Sequence, residues 1–202
     1  MKIHRLILPI FILSTLSPLG AMFATAPSQT VQAPLARLSG GIADVFNHYM
    51  DNYYVEPALF FGHWPQNIAP EMHCSYINSV MANDMIDQAY TDVTAIQDPS
   101  TSVYIGTVTR QDGNHMWVVV FIVRNGVTVG AYSYDIWSGV RGSLDRFEYA
   151  PGQFGYYVPE VGYVAPSGND ITMVDPDGAS STIDGRKIRY GLPKPDYFTP
   201  MP

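Results

Sequence analysis

Between His115 and Asp135 the chain runs through two β-rich segments that meet at Asn125-Gly126. Asn followed by Gly is the pair that accepts positive φ at both central positions of a type I′ turn, whose twist matches that of two antiparallel strands. The flanking residues are β-branched and aromatic, the types that fit a pleated surface, so the stretch reads as a β-hairpin. Its first arm, Met116–Val123, is apolar at every position. A strand buried on one face alternates; an unbroken run points to a strand covered on both faces, inside a sheet that carries helices. The polar His115 stands at the mouth of that strand.

The beginning of the chain reads as an address. Lys2 and Arg5 are followed by the apolar run Leu6–Leu16 and by small residues at Gly20, Ala21, Ala24 and Ala26, the layout of a secretory signal peptide over residues 1–26. The run is shorter than the about 20 residues of a membrane span, and Pro9 interrupts it. The mature form is therefore expected to be secreted or periplasmic and not membrane-spanning. Ala24-Thr25-Ala26 offers a cleavage site, although Pro27 directly after the cut is unfavourable. The cut leaves 176 residues, enough for a single domain. Residues 27–37, with Pro27 and Pro34, are expected to form a flexible lead-in, and residues 38–202 one domain with a loop-rich C-terminal part. The cut removes two of the 11 basic residues and none of the 18 acidic ones, leaving a net charge of −9. That balance argues against nucleic acid or an anionic membrane surface as partner.

Further along, Ile42, Val45, Phe46, Tyr49 and Tyr53 fall at helical spacing and predict a helix over 38–54. Residues 56–70 combine Pro57, Pro65 and Pro70 with Phe60, Phe61 and Trp64 and read as an irregular loop packed by its own aromatics. Ile77, Val80, Met81, Met85 and Ala89 form a second helical stripe over 74–90, with Asn78, Ser79, Asn83, Asp87 and Gln88 as the wet face; a short strand over 75–81 is the competing assignment. A strand over 102–110, a turn at Gln111-Asp112-Gly113-Asn114 and short strands over 171–174 and 187–190 complete the pattern. Residues 137–149 fit neither element cleanly, and the last dozen residues are expected to run over the surface. The fold expected is α+β, N-terminal helices packed on a small antiparallel β-sheet.

Cys74 is the only cysteine, so no intramolecular disulfide forms. It is either a buried thiol acting as a small hydrophobe or a reactive one. Its position at a helix start favours the thiolate, because the first N–H groups of a helix lack intrahelical acceptors. A cysteine hydrolase needs such a thiol, an imidazole on an adjacent strand to manage its proton, and a polar group orienting the imidazole. Cys74, His115 and Asp135 supply these types in order. A regular hairpin, however, pairs Arg124 with Val127, Trp117 with Tyr134 and His115 with Ile136, which puts Asp135 on the face opposite His115. Only a bulge that slips the register by one residue brings the two together.

The arrangement resembles the NlpC/P60 branch of papain-like cysteine peptidases and, at greater distance, the CHAP amidases. The likeness rests on His73-Cys74-Ser75 at a helix start, with His73 where those families carry Asp, and on His115 opening a strand that runs into Asn125-Gly126. The resemblance implies cleavage of an amide bond in cell-wall peptide without a cofactor. A second resemblance, of Tyr53-Tyr54, Trp64-Pro65-Gln66-Asn67 and Tyr76–Val80 to the periplasmic head of type IV pilin-like proteins, implies a non-catalytic binding or surface-assembly role with a partner protein. An inhibitor or immunity protein belongs to the same class. His48, His63, His73 and His115 form no spaced pair of the kind that holds zinc, so no metal site is expected.

Overall fold

A computed structural model describes residues 29–53, 74–174 and 182–200. The expected signal peptide, the stretch 56–70, Tyr54, His63 and His73 lie outside the described residues. Two helices, α1 (Gln29–Tyr53) and α2 (Cys74–Ile96), precede the strands β1 (Thr101–Thr109), β2 (Met116–Arg124), β3 (Val127–Asp135), β4 (Val140–Ser143), β5 (Asp145–Ala150), β6 (Gln153–Val158), β7 (Gly162–Ser167), β8 (Asp170–Met173), β9 (Thr182–Ile183) and β10 (Gly185–Arg189). The architecture is α+β, with one departure from expectation: there are two antiparallel sheets, ordered β10-β1-β2-β3-β4 and β5-β6-β7-β8-β9.

The hairpin at Asn125-Gly126 forms as its chemistry requires, with φ of 51° and 78° at the two central residues. β2 is the middle strand of the first sheet and is buried on both faces. Val118, Val120 and Ile122 pack with Val103, Ile105 and Ile188 under the helices. Trp117, Val119 and Phe121 pack against Tyr156, Val158, Val164 and Ile171 of the second sheet. The unbroken apolar run thus reports a three-layer stack, helices on sheet on sheet. The layers lie close where β8 meets β10: a Cβ at Gly185 would sit 2.8 Å from the Ile171 backbone nitrogen, so only glycine fits there.

Three local expectations are corrected. The flexible lead-in is helical from Gln29 onward, with Pro34 inside α1. Proline deletes one backbone donor near the helix start, and the continuing stripe of Leu35, Leu38, Ile42 and Phe46 in the core holds the segment helical. The wet face assigned to α2 is not uniformly wet, since Asn78 and Ser79 are buried. α2 lies between α1 and the first sheet, so both of its sides are covered, and residues 76–80 are helical rather than extended. Finally, the C-terminal segment does not only run over the surface. Phe198 is 3% exposed, and the Asn83 side chain both donates to its carbonyl at 3.0 Å and accepts from its N–H at 2.7 Å, as a neighbouring strand would. No described helix is long and apolar enough to cross a membrane.

Candidate active site

Cys74 is the first residue of α2, His115 directly precedes β2, and Asp135 is the last residue of β3. The turn that delivers His115 is tied down locally. Gly113, at φ 74°, donates to the Arg110 carbonyl at 2.8 Å. The Asp112 carboxylate accepts from the Asn114 N–H at 3.0 Å and from Arg110 Nε at 2.8 Å. Arg110 in turn donates its N–H to the His115 carbonyl at 2.8 Å.

The placement of Asp135 depends on one residue. Arg124 pairs with Val127 as in a regular hairpin, but Val123 pairs with Thr128 and Ile122 with Gly130, leaving Val129 as the extra residue of a β-bulge. Beyond it every pairing is slipped by one, so Tyr134 faces Val118 instead of Trp117. One step further along the ladder sets Asp135 level with Trp117, whose indole stacks on the His115 ring at 5.3 Å and 29°. The slip that a regular hairpin lacks is therefore present, and it turns Asp135 toward His115.

His115 Nε2 and Asp135 Oδ2 are 2.7 Å apart. The carboxylate is itself held: Oδ2 accepts the Ser138 hydroxyl at 2.5 Å, and Oδ1 accepts the backbone N–H groups of Trp137 and Ser138 at 3.0 and 3.3 Å. With Nε2 committed to Asp135, Nδ1 is the ring nitrogen left for Cys74, whose thiol and the ring each displace the other's ionisation. The thiol also lies 3.9 Å from the Asn114 carbonyl. The structure thus joins Asp135 to His115 by a hydrogen bond and brings Cys74 near enough for thiol and ring to perturb each other.

Each ionisation is displaced in the sense such a chain demands. The hydrogen bond to Asp135, followed by that to Cys74, raises His115 to about 9 against the opposing effect of burial. Partial burial pushes the Cys74 thiol up, yet the His115 hydrogen bond and the backbone amides of Met116 and Ser75 together outweigh it and leave the thiol below its ordinary value. Burial likewise acts upward on Asp135, and the bonds from His115 and Ser138 overcome it, so its carboxyl sits below the usual range. The ring is thus held protonated through neutral pH, and the thiolate beside it is favoured relative to an ordinary thiol. Sulfur and ring titrate as a coupled pair rather than as separate groups.

Asn78 is the residue that sequence reasoning missed. It is fully buried one turn into α2, and its Nδ2 donates to the carbonyls of Cys74 at 2.9 Å and Met116 at 2.8 Å. Its Oδ1 accepts from the Ile136 N–H at 3.4 Å. One amide thereby clamps Cys74 itself and the residues that follow His115 and Asp135. An asparagine among other polar residues at helical spacing looks solvated in a sequence; only the second layer over α2 shows otherwise. Asn78→Ala is expected to leave the Met116 carbonyl and Ile136 amide without this partner and to lower stability by about 2–4 kcal/mol, read as a lower urea midpoint with unchanged slope.

Among the described residues no group of three or more His, Cys, Asp or Glu side chains is placed to hold a metal ion. His48 lies on the exposed side of α1, 3.2 Å from Asn52. No protein-family model, curated protein or solved structure matches the chain.

Proposed function

We propose that the chain is an exported cysteine hydrolase that cleaves an amide bond, with Cys74 as nucleophile, His115 as the acid and base, and Asp135 orienting the ring. The single observation that supports it most is the 2.7 Å His115–Asp135 hydrogen bond beside Cys74, with the thiol pKa lowered and the imidazole raised. The thiolate attacks the carbonyl carbon, and the carbonyl electron pair moves onto oxygen. Collapse of this intermediate breaks the C–N bond as His115 gives its proton to the leaving amine, and an acyl thioester remains. Water then attacks the thioester while His115 takes its proton, releasing a carboxylic acid and restoring the thiolate.

The likeness of residues 73–75 and 115–126 to NlpC/P60 peptidases suggests cell-wall peptide as substrate. A second, non-catalytic reading as a partner-binding protein is favoured by the outer face of the second sheet, where Phe147 and Tyr157, 40% and 44% exposed, flank Tyr163. Incubation with purified peptidoglycan separates the two. The hydrolase releases new amino groups, and Cys74→Ala releases none; equal release by the variant, or none by the native chain, refutes the proposal.

A further inference from the structure

β1 is longer than the strand that pairs with its outer edge. Its register with β10 runs from Ser102↔Arg189 to Gly106↔Gly185 and stops there, since Ile183, two residues before Gly185, belongs to β9 of the other sheet. Thr107, Val108 and Thr109 continue, paired among the described residues with β2 alone. The ladder fixes where their backbone groups point. Arg110 turns its N–H toward β2, to the His115 carbonyl, and Gln111 turns its N–H the other way, to the Glu160 carbonyl at 3.4 Å. Peptide groups alternate sides along a strand, so the N–H and C=O of Thr109 face away from β2 as those of Gln111 do.

On that side lies a cleft of about 560 Å³, within the range that small ligands occupy. Thr107, Val108 and Thr109 line it, with Ser79 and Phe198 among one set of wall residues and Val161 and Met173 among another. Met116 also lines it, and the Met116 backbone amide is, with that of Ser75, one of two that favour the Cys74 thiolate. The cleft therefore adjoins the nucleophile through a shared residue. Its walls are mixed, with Met116 and Phe198 on one side and Val161 and Met173 on the other apolar and the Asp184–Arg186 ion pair polar, and its floor is a strand edge whose Thr109 donor and acceptor have no partner among the described residues.

The geometry points to a docking site for an extended peptide, which adds to β1 at Thr109 as an antiparallel strand and sends apolar side chains alternately to the two walls. Strand addition of this kind takes affinity from main-chain hydrogen bonds and selectivity from the side-chain pockets. The three residues of edge that β10 leaves uncovered span about 10 Å, which suits a peptide of about three residues. That the bound strand presents its carbonyl to Cys74 rests on the hydrolase reading; the docking itself does not.

The test is a titration of the full mature chain with acetyl-Leu-Ala-Leu amide, followed by amide NMR. Saturable shifts at Val108, Met116 and Thr199 are expected. Thr109→Pro removes the donor at an edge position where proline is tolerated and should weaken binding at least tenfold, whereas Thr109→Ala stays within twofold. A peptide N-methylated at its central residue should lose affinity to a similar degree, with no change to the protein. No saturable shift, equal binding to Thr109→Pro and to the N-methyl peptide, or concentration-dependent pairing of two chains through this edge overturns the proposal. Alkylation of Cys74 by iodoacetamide is followed in parallel. Peptide binding with an inert thiol leaves the docking site standing and removes the hydrolase; a reactive thiol without peptide binding does the reverse.

Discussion

His115→Ala is expected to slow alkylation of Cys74 by iodoacetamide at pH 6 by on the order of tenfold to a hundredfold, and to abolish hydrolysis. The reacting species is the thiolate. In the native chain the sulfur lies against an imidazole whose pKa is raised to about 9, so the positive partner is present throughout the neutral range. Without it, burial of the thiol is opposed only by the amides of Met116 and Ser75, and the thiol pKa returns toward or above the ordinary value of about 8.5. Roughly one part in 300 would then be thiolate at pH 6, partly offset by the greater nucleophilicity of a more basic sulfur. A profile that does not move in the variant would mean that His115 does not control the sulfur.

Asp135→Ala is expected to bring His115 down from about 9 toward its ordinary 6.5 or so, and to cut hydrolysis at pH 8 by between about tenfold and 10⁴-fold. Asp135 is the largest cause of the raised value, and its carboxylate fixes Nε2 as the nitrogen turned away from sulfur. The sign of the stability effect follows. A histidine whose folded pKa is raised contributes stability that is full below about 6.5 and fades as pH rises through about 9. The lowered Cys74 thiol contributes with the opposite sign over the overlapping interval, so the ring's share is read in a Cys74→Ser chain, which should lose stability between those values, whereas Cys74→Ser with Asp135→Ala should not. Asp135 itself contributes above the ordinary carboxyl value, and its contribution fades as pH falls through its lowered one. A proton NMR titration of the His115 ring in both chains reads the shift directly; identical midpoints would remove Asp135 from the site.

What the sequence made legible were features carried by local chemistry. Asn125-Gly126 dictated the turn, the run Met116–Val123 dictated a doubly covered strand, and Cys74 at the head of an apolar stripe dictated a thiol at a helix start. What it hid were features that exist only between elements. Val129 carries no mark of being a bulge residue, yet the slip it causes decides whether Asp135 meets His115. Asn78 and Ser79 look like solvent-facing positions until α1 and the sheet close over α2. The second sheet was hidden because its strands are short and rich in Gly and Tyr. Its visible trace was the short strand expected over 171–174, which forms as β8.

The central claim is that Cys74 exists as a thiolate held by His115 in the native chain, and the thiolate's ultraviolet absorbance tests it most directly. Cys74 is the only cysteine, so the difference spectrum near 240 nm between the native chain and Cys74→Ser reports one sulfur, and absorbance common to both chains cancels. Titrated from pH 4 to 9, the difference should rise to its plateau well below 8.5. A rise that begins only near 8.5 or above would show an ordinary buried thiol and contradict the claim.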